Sequence, residues 1–129
     1  MAVEIKWILF LSGLMMTNQQ HLDYDTLNTL KEVMEDDFAL LIDTFLTDSK
    51  NRIITLQSLI HTADGDAIRR AAHGLKGSCS NLGAINLAAL CGLLEHQALA
   101  SKFENFTEDL RCIENEFAVI QKMLLDYLQ

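Results

Sequence analysis

The stretch at residues 69–84, RRAAHGLKGSCSNLGA, decides how the chain is read. At about 100° per residue, Ile68, Ala71, Ala72, Leu75, Cys79 and Leu82 fall on one side of a helix. Arg69, Arg70, His73, Lys76, Gly77 and Ser80 fall on the other, all within about 60° of His73. An apolar stripe of that width is the mark of a helix with one face in a core. Gly83, just past the last apolar residue, fits a left-handed stop. Asp64, in TADGD, fits a cap at the start. The spacing predicts a helix from about Gly65 to Leu82, with His73 pointing outward at the centre of a cationic face.

The same period continues on both sides. Upstream, DYDTLNTLKEVM reads as a short helix started near Asp25. A longer helix follows, from about Asp36 to His61, with Phe38, Leu41, Ile42, Phe45, Ile53, Leu56 and Ile60 on its core side. Downstream, a helix starts near Asn86 and carries Leu87, Leu90, Leu94 and Ala98 on one side. SKFE reads as a loop, and Asn105 with Glu108 as a capping box. The last helix carries Leu110, Ile113, Phe117, Ile120 and Leu124. No strand-like alternation competes. The fold class is all-α, an antiparallel up-and-down four-helix bundle with an additional N-terminal helix.

Composition narrows the function. The 129 residues fit one domain, half of them are hydrophobic, and there is no proline to interrupt a helix. A net charge of −8 argues against nucleic acid, whose binders need a basic surface. Three cysteines without CxxC fit a reducing cytoplasm better than a disulfide framework; Cys79, Cys91 and Cys112 read as buried structural thiols. Residues 21–129 form one unit. Residues 1–20 stand apart through the apolar run WILFLSGLMM, too short to span a bilayer stably and a weak signal peptide. They read as an extra helix, as a translation-start artefact with Met15 or Met16 the true start, or, least favoured, as a membrane-surface anchor.

His73 is the candidate functional residue. Its position argues against a core role and favours a solvated histidine or a reactive one. Two glycines favour reactivity. Gly77 lies one turn beyond on the same face and Gly74 is adjacent, each costing a helix about 1 kcal/mol against alanine. Such a cost suits a surface that something must approach closely. Cations around an imidazole favour its neutral, nucleophilic form and would neutralise an attached phosphoryl group. His21, His61 and His96 lack the helical pairings of a bundle metal site, so no metal is expected.

AHGLKGSCSNLGA, followed by LAALCGLLE, resembles the histidine phosphotransfer (HPt) domain family of two-component phosphorelays. The matching elements are His73, Leu75, Lys76, Gly77, Ser78, Leu82, Gly83, Leu94 and Glu95, and the upstream helix LLIDTFLTDSKNRIITLQSLI is similar to the family's. The resemblance covers residues 24–129.

The resemblance implies that His73 accepts a phosphoryl group from an aspartyl phosphate on a receiver domain and passes it to another receiver. Lys76 would hold a phosphoryl oxygen, and Gly77 would leave space for it. Arg69, Arg70 and Ser80 form the expected phosphate environment; the two arginines could also steer an acidic receiver. Leu40 and Thr44, off the core stripe, are the expected receiver-docking residues. Glu95 matches the family but receives no chemical role. The implied protein is a monomeric phosphoryl carrier without kinase activity or cofactor; Mg2+ would sit on the receiver, and a hybrid sensor kinase would be the upstream partner. An adaptor that binds a receiver without phosphotransfer is the alternative. The dimerising domain of a sensor kinase would need an ATP-binding domain for which there is no room, and a plain helical scaffold would leave the motif unused.

Overall fold

The structure, a computed structural model, describes residues 21–129; the extra helix expected in residues 1–20 lies outside them. The described chain is a short helix α1 (Tyr24–Met34), a 3-10 turn (Glu35–Asp37) and four longer helices. These are α2 (Phe38–Leu59), α3 (Gly65–Leu82), α4 (Ile85–Leu99) and α5 (Phe106–Tyr127). Helices α2 to α5 pack in chain order, and α5 returns to α2, which closes the bundle. The expected stripes meet inside. Ile42 and Leu56, Ile68 and Leu75, Leu87 and Leu94, and Ile113 and Ile120 are all fully buried.

The boundaries follow local chemistry. Asp23 accepts hydrogen bonds from the Asp25 and Thr26 amides, so α1 begins ahead of the expected Asp25. The long second helix begins only at Phe38, because Glu35 adopts φ 50 at the end of α1 and the 3-10 turn intervenes. Helix α3 has the expected limits: Asp64 accepts from the Ala67 amide, and Gly83 (φ 88) closes it. The Gly83 amide bonds to Ser80 O and the Ala84 amide to Cys79 O at 2.8 Å, a Schellman stop. The chain turns through Ala84 straight into α4, and the Asp23 amide donates to Gly83 O at 2.8 Å, joining α1 to this turn.

Two expectations are corrected. The Asn105–Glu108 capping box does not form. Asn105 occupies the cap position at φ −106, ψ 9 with no side-chain bond, outside the extended region that the motif needs, and Glu108 pairs with Arg111 at 3.0 Å. Cys112 is exposed, because it lies one residue, about 100°, from the core residue Ile113. Cys79 and Cys91 are buried as expected. The hydrogen bond that the Cys79 thiol donates to Cys91, aided by burial, pushes that thiol far above its usual range.

Candidate functional site

Helix α3 buries Ile68, Ala72, Leu75, Cys79 and Leu82 and thereby turns His73 outward, 65% of its side chain exposed. Across the groove, α4 buries Leu87, Cys91, Leu94 and Ala98. Glu95, at the edge of that stripe, lies against α3 with 18% of its side chain exposed. Its carboxylate spans two partners: Oε2 is 2.6 Å from His73 Nδ1 and Oε1 is 2.7 Å from Lys76 Nζ. The Lys76 bond, helped by His73 and opposed by burial, holds the Glu95 carboxyl below its usual range. Gly92 completes the arrangement. A Cβ there would touch Lys76 Cδ at 3.4 Å, so the lysine stem lies over α4 with its head on Glu95.

A carboxylate facing Nδ1 fixes the hydrogen-bond roles on the imidazole. An ionised carboxylate only accepts, so Nδ1 carries the proton and the neutral ring keeps its lone pair on Nε2. Nε2 makes no hydrogen bond to the described residues. The site therefore presents a nucleophilic nitrogen to solvent, backed by an oriented carboxylate. Gly77 leaves the approach open, since a Cβ there would meet nothing within 4 Å.

The charges differ from the expected cationic ring. Arg69 Nη2 lies 3.0 Å from Asp66 Oδ1 and Arg70 Nε 3.4 Å from Asp66 Oδ2, so both arginines are drawn back one turn toward the start of α3. Lys76 is held by Glu95. The charged group touching the imidazole is thus a carboxylate, not a cation. Ser80 is exposed on the same face of α3. Leu40 is 64% exposed on α2. Thr44 lies in a cleft of about 330 Å³ between α2 and α3, with Leu41, Phe45, Asp48, Ser78 and Asn81 also on its walls.

Glu95 is the site residue whose role the sequence did not reveal. Its place one residue past the core Leu94 marks the edge of a stripe, but which helix faces that edge is set by the tertiary packing of α3 on α4. Among the described residues no cluster of His, Cys, Asp and Glu could hold a metal ion, and no helix is long and apolar enough to cross a membrane.

The comparisons identify the family. The Hpt domain family model matches residues 40–127, so the chain belongs to the histidine phosphotransfer domain family. Histidine-containing phosphotransfer protein B (HptB) from Pseudomonas aeruginosa is 36% identical, with a TM-score of 0.81 over 83% of this chain and 93% of that one. The fold is shared with MtHPt2 from Medicago truncatula (24% identity, TM-score 0.73, 88% of this chain and 80% of that one). It is shared also with ZmHP2 from maize (22% identity, TM-score 0.77, 98% and 94%). No curated protein matches the chain. The chain is a histidine phosphotransfer protein of the phosphorelay type.

Proposed function

We propose that His73 is the phosphoryl-accepting residue and that the chain carries the group between two receiver domains. The observation that carries this reading is the 2.6 Å contact between His73 Nδ1 and Glu95, which leaves Nε2 as the exposed lone pair. In the forward step Nε2 attacks the phosphorus of a receiver's aspartyl phosphate. The N–P bond forms as the acyl-phosphate O–P bond breaks, and the electron pair leaves with the aspartate carboxylate. The ring becomes a phosphorylated imidazolium whose Nδ1 keeps its proton and donates it in the hydrogen bond to Glu95, so the carboxylate offsets the new positive charge. The second receiver's aspartate reverses the same exchange.

Such transfer depends on alignment and charge neutralisation. Lys76 has three donors and can keep Glu95 while reaching a phosphoryl oxygen. Gly77 leaves room for the incoming group, and Ser80, Arg69 and Arg70 lie on the same face as a weaker polar surround. Leu40 and Thr44 offer the receiver an exposed apolar and polar edge. In this reading Mg2+ belongs to the receiver, a hybrid sensor kinase starts the relay, and the carrier works as a cytoplasmic monomer without kinase activity.

The test is incubation with a phosphorylated receiver, followed by intact-mass analysis before and after acid. One acid-labile phosphoryl adduct, absent in His73→Gln, is expected. No adduct in the wild-type protein, with receiver binding retained, would replace the carrier by the adaptor reading.

A further inference from the structure

Gly74 stands beside His73, in the middle of α3, where a glycine costs the helix about 1 kcal/mol against alanine. The packing supplies a reason. The Arg52 side chain reaches from α2 onto the α3 backbone at this point. A Cβ on Gly74 would overlap Arg52 Nη1 and stand 3.2 Å from its Cζ. One turn back along α2, Asp48 Oδ2 accepts from Arg52 Nε at 2.8 Å, which fixes the direction of the guanidinium. Its two Nη groups make no hydrogen bond to the described residues. Around His73 the other cations are engaged, Lys76 by Glu95 and Arg69 and Arg70 by Asp66. Arg52 thus offers two Nη groups, unbonded among the described residues, on the α2 flank of the histidine, beside Asp48 in the cleft that also holds Thr44.

A guanidinium pre-oriented by its own Nε bond, with neither Nη group hydrogen-bonded to a described residue, suits a carboxylate. A receiver that exchanges an aspartyl phosphate must bring a carboxylate-rich pocket up to His73. We infer that Arg52 is a receiver-binding residue that grips a carboxylate at the rim of that pocket, and that Gly74 is the seat giving it this position. The inference rests on the phosphotransfer reading above. Arg52 does not touch the phosphoryl group; it holds the partner in register, so its removal weakens encounter rather than chemistry.

The experiment compares Arg52→Ala, Arg52→Lys and Gly74→Ala with the wild-type protein in two reactions. One is transfer from a phosphorylated receiver, titrated to saturation. The other is labelling by a small phosphoramidate, which needs no receiver. Arg52→Ala and Gly74→Ala should each raise the KM for the receiver about tenfold. The saturating rate and phosphoramidate labelling should stay within about twofold, since neither needs the rim contact. Arg52→Lys should recover the KM only in part, because an ammonium cannot make a bidentate contact. Gly74→Ala should melt no lower than wild type, which separates lost docking from lost fold. An unchanged KM in both Arg52→Ala and Gly74→Ala would overturn the inference. So would an equal loss with phosphoramidate, which would place Arg52 on the phosphoryl group. Failure of the wild-type protein to label at all would instead remove the underlying carrier reading.

Discussion

Glu95 reaches from α4 to within 2.6 Å of His73 on α3, so the orientation of the exposed imidazole is set by a helix other than its own. The carboxylate also holds Lys76 at 2.7 Å, so a single side chain joins all three residues.

Removing this carboxylate should slow phosphotransfer without unfolding the bundle. Glu95→Gln keeps an acceptor for Nδ1 but loses the charge that offsets the phosphorylated ring, and a loss of about tenfold in transfer rate is expected. Glu95→Ala also frees the ring and Lys76, and about a hundredfold loss is expected, in the range of general orienting contributions. Single-turnover kinetics of phosphohistidine formation check both; wild-type rates in Glu95→Ala would remove the residue from the mechanism.

The same carboxylate gives a signed pH dependence. Its folded pKa is held below the ordinary 4.5, first by the Lys76 hydrogen bond. The folded state therefore binds this proton less readily than the unfolded chain. The resulting stability is present above about pH 4.5 and is lost as pH falls through the folded value. Glu95→Gln should be less stable than wild type at pH 7, and the gap should narrow below pH 4.5. Denaturation midpoints at the two pH values measure it; a gap that widens in acid would contradict the sign.

Gly77→Ala should stabilise the helix and impair transfer. The added methyl meets nothing within 4 Å, so the fold gains about 0.5–1 kcal/mol from the better helix former. The space above α3, however, is where the incoming group must land. A raised melting temperature with slower transfer is expected; a raised melting temperature with unchanged transfer would show that the opening is unused.

Gly83→Ala should act in the opposite way on stability. The residue sits at φ 88, and a Cβ would come to 3.1 Å from Thr26 Cβ and 3.2 Å from Asp23 Cβ. Left-handed strain and the crowded start of α1 together should cost about 1–3 kcal/mol, read by chemical denaturation.

The thiols should separate by burial. Cys112 is exposed, whereas Cys79 and Cys91 are buried, with Cys79 held protonated by its neighbour and by burial. A thiol reagent should label one cysteine quickly in the native protein and all three in denaturant. Rapid labelling of more than one in the native state would mean that the α3–α4 contact opens readily.

The fold was largely legible because each helix carries a stripe of the right period: Ile68 to Leu82 and Leu110 to Leu124 needed no tertiary information. Asp64 and Gly83 marked the limits of α3 for the same local reasons. What stayed hidden depended on neighbours. The Glu35 turn and the backbone angle at Asn105 reflect how α1 and the last loop meet the bundle, and residue type alone does not encode them. The exposed histidine followed from helix geometry. The fate of its surrounding charges did not: Asp66 captures Arg69 and Arg70, and Glu95 captures Lys76, through rotamers and helix contacts invisible in one dimension. Arg52 escaped notice because it lies 22 positions before Gly74, on another helix.

His73 stands on the outer face of a helix whose inner face is sealed by Leu75, Cys79 and Leu82. A phosphoryl group placed there adds negative charge and bulk to the outside, on the side of the helix away from that buried stripe. The message, on the proposed reading, is written on the protein rather than into its shape. No distant surface then reports whether the carrier is loaded, and a partner learns it by touching the site itself.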